Sequence, residues 1–337
     1  MLPTVWFVIV AFFWTGFFVL EGFDFGVGAL HTIVGRTDIE RRVAINTIGP
    51  VWDGNEVWLV VAAASMFAAF PNWYASFFSA LYLPLWFLLA ALILRGVSFE
   101  FRGKFAGPRW RATWSAALTV GSVLAPLLIG VGLGDLLAGL PVDGTGDFTG
   151  SLVDLLTPFG LLLGLTLLAL CLLHGSAFLT MRATGPALHR ARTLLRRLCL
   201  PTATLVLVVA VWLVVLAEPG GWVMVAAAVP AVAVVAAAVT GLSGRPAAAT
   251  FGATTVTIGG LVALLFAGLY PTLLVSTTDP AYSLTVANSS ASAYSLQVMT
   301  VVAVVLVPIV LGYQAWTYYV FRRRVSAGPA ETTAAAA

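Results

Sequence analysis

Four carboxylates stand inside two apolar runs, where a lipid bilayer would leave no partner for charge. Glu21 and Asp24 lie in Leu20-Glu21-Gly22-Phe23-Asp24-Phe25-Gly26. Asp53 and Glu56 lie in Gly49-Pro50-Val51-Trp52-Asp53-Gly54-Asn55-Glu56-Val57-Trp58-Leu59. An ionised Asp at the centre of a membrane helix costs roughly 2.5–3.5 kcal/mol on insertion scales, so four unpaired ones would cost on the order of 10 kcal/mol. Carboxylates retained against such a cost face a protein interior and handle protons or ions. Glu21 and Asp24 are three apart and share one helix face, which Gly28 and His31 continue; Asp53 and Glu56 are also three apart. Asp24 is 12 residues before Arg36 and Asp53 is 11 residues after Arg42. At about 1.5 Å per residue, that spacing predicts two pairs at similar depth, with His31 nearer the basic side. Crowded buried carboxyls exchange protons readily, which suits a proton path through Glu21, Asp24, Asp53, Glu56 and His31. The competing reading is a structural polar network, with the carboxyls bonded to Asn46, Asn55 or Trp indoles, or paired with an Arg of a partner.

The elements that would hold these groups are membrane helices. Of 337 residues, 60% are hydrophobic and 9% charged, with mean hydropathy +1.00, as expected for an all-α polytopic membrane protein. Windows of about 20 residues, the length that crosses the hydrocarbon core, predict nine spans. They lie near Val5–Ile33, Ile45–Phe70, Ser76–Val97, Thr113–Gly134, Leu152–Met181, Leu198–Ala217, Trp222–Leu242, Thr254–Val275 and Leu296–Phe321. Nine spans place all 17 Lys and Arg on one side. They follow the first span (Arg36, Arg41, Arg42), the third (Arg95, Arg102, Lys104, Arg109, Arg111) and the fifth (Arg182, Arg190, Arg192, Arg196, Arg197). Arg245 follows the seventh, and Arg322, Arg323 and Arg324 follow the ninth. The positive-inside rule then makes that side cytoplasmic, with the N-terminus outside and the C-terminus inside. The opposite loops carry Asp135, Asp143, Asp147, Glu218 and Asp279. Trp6, Trp73 and Trp222 fall at the expected outer interface, and Trp110, Trp114 and Tyr319 at the inner one. Residues 1–325 read as a single transmembrane domain, and 326–337 as a disordered tail. The net charge of +3 is accounted for by topology and by anionic lipid headgroups, with no nucleic acid.

Other candidate chemistry is thin. His174 sits in a span and His189 in a basic loop; histidine can ligate haem iron, yet no pair shows a metal spacing. Cys171 and Cys199 form no Cys-x-x-Cys. Gly130-x-x-x-Gly134 and Gly160-x-x-x-Gly164 are spacings that let helices approach closely. Asn288-Ser289-Ser290 is a short match to a glycosylation acceptor.

At these residues the chain resembles subunit II of the cytochrome bd-type quinol oxidases. The likeness runs from Leu20 to Gly28, through Glu40-Arg41-Arg42 and Ile45-Asn46, to the specific stretch Gly49–Leu59. It continues in Phe67–Pro71, Tyr74-Ala75, Phe78-Ser79, Leu94-Arg95-Gly96, Phe99-Glu100, Arg102 and Lys104, and weakly in His174-Gly175, Tyr270-Pro271, Ser283–Thr285 and Pro308 to Phe321. The resemblance implies two four-helix bundles plus a peripheral helix. It implies a heterodimer with a subunit I that holds the haems, b and d, and the quinol site. Quinol would be oxidised and dioxygen reduced to water with protons from the cytoplasm. Asp24 and Asp53 match the family's proton-path acids. Glu21 and Glu56 fall within the motifs but are not acidic in every relative. A small accessory subunit and a bound lipid or quinone also belong to some relatives. The alternatives are a proton-coupled secondary transporter and a purely structural scaffold.

Overall fold

Apolar runs of this kind fold as helices because in lipid every backbone N–H and C=O must be satisfied within its own segment. In the computed structural model, residues 1–217 and 221–326 are described. Glu218 and the expected tail beyond Ser326 lie outside the described residues. The helices are α1 (Leu2–Val34), α2 (Asp38–Asn46), α3 (Trp52–Ala69), α4 (Pro71–Ala80), α5 (Tyr82–Phe101) and α6 (Pro108–Ala138). Then come α7 (Pro158–Arg182), α8 (Gly185–Leu216), α9 (Gly221–Leu242), α10 (Ala247–Leu269), α11 (Val286–Ser289) and α12 (Ala293–Val320). A two-stranded antiparallel ribbon, β1 (Thr272–Leu274) with β2 (Leu284–Thr285), lies between α10 and α11.

Eight of these helices are long and apolar enough to cross a membrane: α1, α5, α6, α7, α8, α9, α10 and α12. The remaining expected span, Ile45–Phe70, is broken. α2 stops at Asn46, a turn carries Gly49 and Pro50, and α3 begins at Trp52. Proline has no N–H to donate, so the helix does not run through it. The 18 residues of α3 start with a polar turn, which separates it from the eight. The span expected over Ser76–Val97 is shared by α4 and α5, jointed at Leu81, and α5 runs on to Phe101.

Helices α1, α3, α5 and α6 group around one another, and α7 to α10 form a second four-helix group. α12 lies outside both, against α1 and α3. The bundles are joined where α7 packs on α1 and α6. The small-residue spacings meet at this junction: a Cβ on Gly130 would lie 2.6 Å from Gly164 Cα, and one on Gly134 would lie 2.6 Å from Gly160 Cα. On α1, a Cβ at Gly26 would lie 1.9 Å from the Cys171 carbonyl oxygen, so only glycine allows that crossing.

The chain ends of the helices alternate between two sides. At the arginine-rich side, Arg102 and Arg111 donate to Asp38 of α2, and the Val325 N–H donates to the Arg182 carbonyl. At the other, Trp6 Nε1 donates to the Leu296 carbonyl at 3.2 Å, and the Ala291 N–H donates to Ala69. Two placements correct the expected loops. Arg190, Arg192, Arg196 and Arg197, with His189, belong to α8 and not to a loop. Arg95 lies inside α5, fully buried.

One strap at the arginine-rich side is pH-sensitive. Glu40 completes a capping box with Thr37, and its carboxylate also accepts from Arg190 of α8. The Arg190 hydrogen bond holds the Glu40 carboxyl below its ordinary value of 4.5. A depressed folded-state value means the stabilisation is fully present above 4.5 and is lost as pH falls below it. The melting temperature of the purified complex is therefore expected to drop with acidification through that window, and Glu40→Gln to flatten the slope. An unchanged slope in that variant would exclude the strap as its source.

Candidate functional site

Asp24 is in the middle of α1, whose buried residues run without interruption from Glu21 to His31. This stretch contains Gly22, Gly26 and Gly28, which let neighbouring helices close over it. Asp24 Oδ2 accepts from Asn55 Nδ2 of α3 at 2.6 Å. The same amide donates to the Leu20 carbonyl at 3.1 Å, bridging α1 and α3. Asn55 Oδ1 accepts in turn from Gln314 Nε2 at 2.7 Å and from the Tyr318 hydroxyl at 2.9 Å, both on α12. Asn55 is thus the hub that ties the peripheral helix to Asp24.

Arg95 forms the second half of the centre. Its Nη2 lies 2.5 Å from Glu21 Oε1, with both side chains fully buried. That contact is a charge pair outside hydrogen-bond alignment, and both atoms lack another partner. Nη1 donates to Glu56 Oε2 at 3.0 Å, where the Glu56 side chain is 24% exposed. The guanidinium lies over Phe25 at 4.8 Å, Phe99 at 5.4 Å and Trp52 at 6.0 Å from the ring centroids. Aromatic faces of this kind attract a cation and exclude water. Glu21 and Asp24 are three apart on α1, and both are fully buried. Two carboxyls, Glu21 and Glu56, therefore share one buried guanidinium, and Asp24, bonded to Asn55, stands one turn from Glu21 on α1. One positive charge offsets one carboxylate; ionising the other two as well would bury net negative charge at a cost of several kcal/mol per ion. The centre is a buried cluster of acids held on one cation.

Of the expected site residues, Glu21, Asp24 and Glu56 come together. Asp53 sits in the first turn of α3, two residues before the Asn55 that bonds Asp24, with its side chain exposed. His31 is buried further along α1; its Nδ1 bonds the Gly28 carbonyl at 2.7 Å, and Nε2 has no partner. Ser122 of α6, also buried with an unpartnered hydroxyl, lies against Gly28, where a Cβ would be 2.1 Å from its oxygen. Buried polar atoms without protein partners are the places where internal water binds. Sequence reasoning missed Arg95, Gln314 and Tyr318 as members of the centre. The signal for Arg95 was its place within an apolar run, a full turn and more before Arg102.

A separate cavity of about 460 Å³ opens within the first bundle, lined by α3, α4, α5 and α6 residues such as Phe67, Phe78 and Leu85. No carboxylate lines it. Its apolar walls suit a hydrocarbon chain.

The geometry defines a membrane-integral helical protein with a buried carboxylate–guanidinium centre. Residues 2–321 match the family model described as cytochrome bd terminal oxidase subunit II. The chain is 40% identical over 328 residues to cytochrome bd ubiquinol oxidase subunit 2 of Bacillus subtilis, covering 96% of this chain and 97% of that one. It is 35% identical over 362 aligned positions to cytochrome bd-I ubiquinol oxidase subunit 2 of Escherichia coli, covering 97% and 96%. Among solved structures it is similar in fold to the bd oxidase of Geobacillus thermodenitrificans, with TM-score 0.72 at 18% identity over 94% of this chain and 98% of that one. The chain belongs to the cytochrome bd terminal oxidase subunit II family. It is a multi-pass protein of the bacterial cytoplasmic membrane and part of a quinol-oxidising, oxygen-reducing respiratory complex.

Haem does not fit this chain's own histidines. His174 uses both ring nitrogens, bonding Thr254 at 2.7 Å and the Val19 carbonyl at 3.2 Å, and it stacks on Phe251 at 4.2 Å. His31 is wedged in the α1 interface, and His189 is exposed on α8. Among the described residues no cluster of three His, Cys, Asp or Glu could hold a metal ion.

Proposed function

We propose that this chain stabilises the haem-bearing subunit I of the oxidase and conducts protons to it from the arginine-rich, cytoplasmic side. The observation that carries this reading is the pair Glu21 and Glu56 on one buried guanidinium, with Asp24 one turn from Glu21 on α1. Asp53, exposed in the first turn of α3, is the uptake group. Glu56 is one turn further along the same helix and partly exposed. It passes protons to Glu21 and Asp24, which exchange them along one face of α1. Arg95 keeps a compensating charge at the centre, so that one carboxylate persists there and the others load and unload. Water at the unpartnered His31 and Ser122 atoms gives a second approach along α1. Protons leave toward subunit I, where dioxygen is reduced and the b and d haems reside. The quinol is oxidised there as well. The apolar cavity is the place for a lipid or quinone tail. A small accessory subunit would bind elsewhere.

The transporter alternative relied on the acids as a substrate-coupling site; family membership favours the oxidase. The test is a redox difference spectrum of material purified through a tag on this chain, together with proton uptake during turnover. A co-purified second subunit with b-type and d-type haem bands supports the reading. A lone colourless chain, from membranes that retain quinol oxidase activity, would exclude it.

A further inference from the structure

The second bundle opens at its arginine-rich end into a cavity of about 520 Å³, between the ends of α7, α8, α9 and α10. Arg192, Arg196, Arg245 and Arg324 all line it, and no carboxylate does. None of the four is in an ion pair among the described residues, whereas Arg102, Arg111 and Arg190 each meet an acid. Arg192 and Arg196 are four apart on α8, a spacing at which like charges repel. The loop between α9 and α10 turns through Gly244, at φ +72°, and a Cβ there would lie 3.4 Å from the Arg196 guanidinium. α10 then starts at the cavity with no side-chain cap and no acid in its first turn, and Ala247 and Ala248 line the wall. Four guanidiniums and an uncapped helix start thus converge on one space with nothing negative in it. Guanidinium forks match the oxygens of a phosphate, and helix N-termini favour the same charge.

We propose that this cavity binds the phosphate of an anionic phospholipid headgroup. The lipid source follows from position. The cavity sits at the ends of the membrane-crossing helices α7, α9 and α10, and Met181, Leu195, Ala247 and Ala248 give it apolar wall beside Thr180. A phosphate bonded among the arginines would leave the glycerol and acyl chains against those walls. The site is remote from the carboxylate centre, and the inference does not depend on the proton path.

The test uses the intact complex, delipidated in detergent and offered either phosphatidylglycerol in micelles or inorganic phosphate, with bound species counted by native mass spectrometry. The double variant Arg196→Gln/Arg245→Gln should retain phosphatidylglycerol about tenfold more weakly, the scale of one lost charge-assisted hydrogen bond. Arg324→Gln, beyond the helices, guards against a folding defect and should weaken retention in the same direction. Arg109→Gln, an exposed arginine at the start of α6 outside the cavity, should leave retention unchanged. Equal lipid retention in all three would overturn the proposal. So would arginine-dependent binding of inorganic phosphate with unaltered lipid retention, because the site would then serve a soluble anion.

Discussion

Arg95→Met should lower the stability of the assembled complex by about 3–5 kcal/mol, the usual cost of removing one partner from a buried ion pair. The side chains of Arg95 and Glu21 are both fully buried. Without the guanidinium, Glu21 has no cation, and Glu56 loses the donor it meets at 3.0 Å. The aromatic shelf of Phe25, Trp52 and Phe99 loses the cation it was arranged around. The readouts are the yield of haem-bearing complex and its melting temperature. Charge balance makes the prediction sharper. Glu21→Gln in the Arg95→Met background removes the stranded carboxylate and should restore much of the loss, since a neutral pair of similar volume often matches a buried ion pair. Arg95→Lys should rescue poorly, because an ammonium cannot reach two carboxyls with a fixed planar fork. If Arg95→Met alone matches the parent in yield and melting, the guanidinium is not what holds this centre.

The same residues show where the sequence was legible. The α1 face carrying Glu21, Asp24, Gly28 and His31 could be read directly, because an unbroken helix fixes which side chains share a face. The small-residue pairs of α6 and α7 were legible for the same reason, and they do meet. The exposure of Asp53 was not. A hydropathy window averages over Gly49-Pro50, so one long span hid a turn and a new helix start, leaving Asp53 at the exposed end. Arg95 was hidden by an opposite rule. Basic residues between spans were assigned to the loop, yet α5 continues to Phe101 and takes Arg95 inside. One alternative paired the carboxyls with an Arg of a partner; the Arg that meets Glu21 and Glu56 is on this chain. The contacts of Asn55 with Gln314 and Tyr318 join residues 259 and 263 positions apart. Nothing local encodes such a pairing; it depends on where the peripheral helix docks.

Asp24→Asn is the substitution expected to separate conduction from assembly. The amide has the size of the carboxyl and can turn its oxygen toward Asn55 Nδ2, now 2.6 Å from Asp24 Oδ2. The bridge between α1 and α3 is therefore preserved, and with it the Gln314 and Tyr318 bonds of α12. An amide cannot take up and release a proton at these pH values, so the exchange with Glu21 stops. Positioned proton-transfer groups contribute roughly 10²–10⁴-fold, and turnover is expected to fall by about 10²-fold, with haem content and melting temperature near the parent's. Asp53→Asn should cost much less, since Asp53 is exposed and water can serve Glu56 in its place. The order of effects, Asp24 well above Asp53, follows from burial alone. Unaltered oxygen consumption and proton uptake in Asp24→Asn, with the complex intact, would leave the carboxylates a structural role and end the proton-path reading.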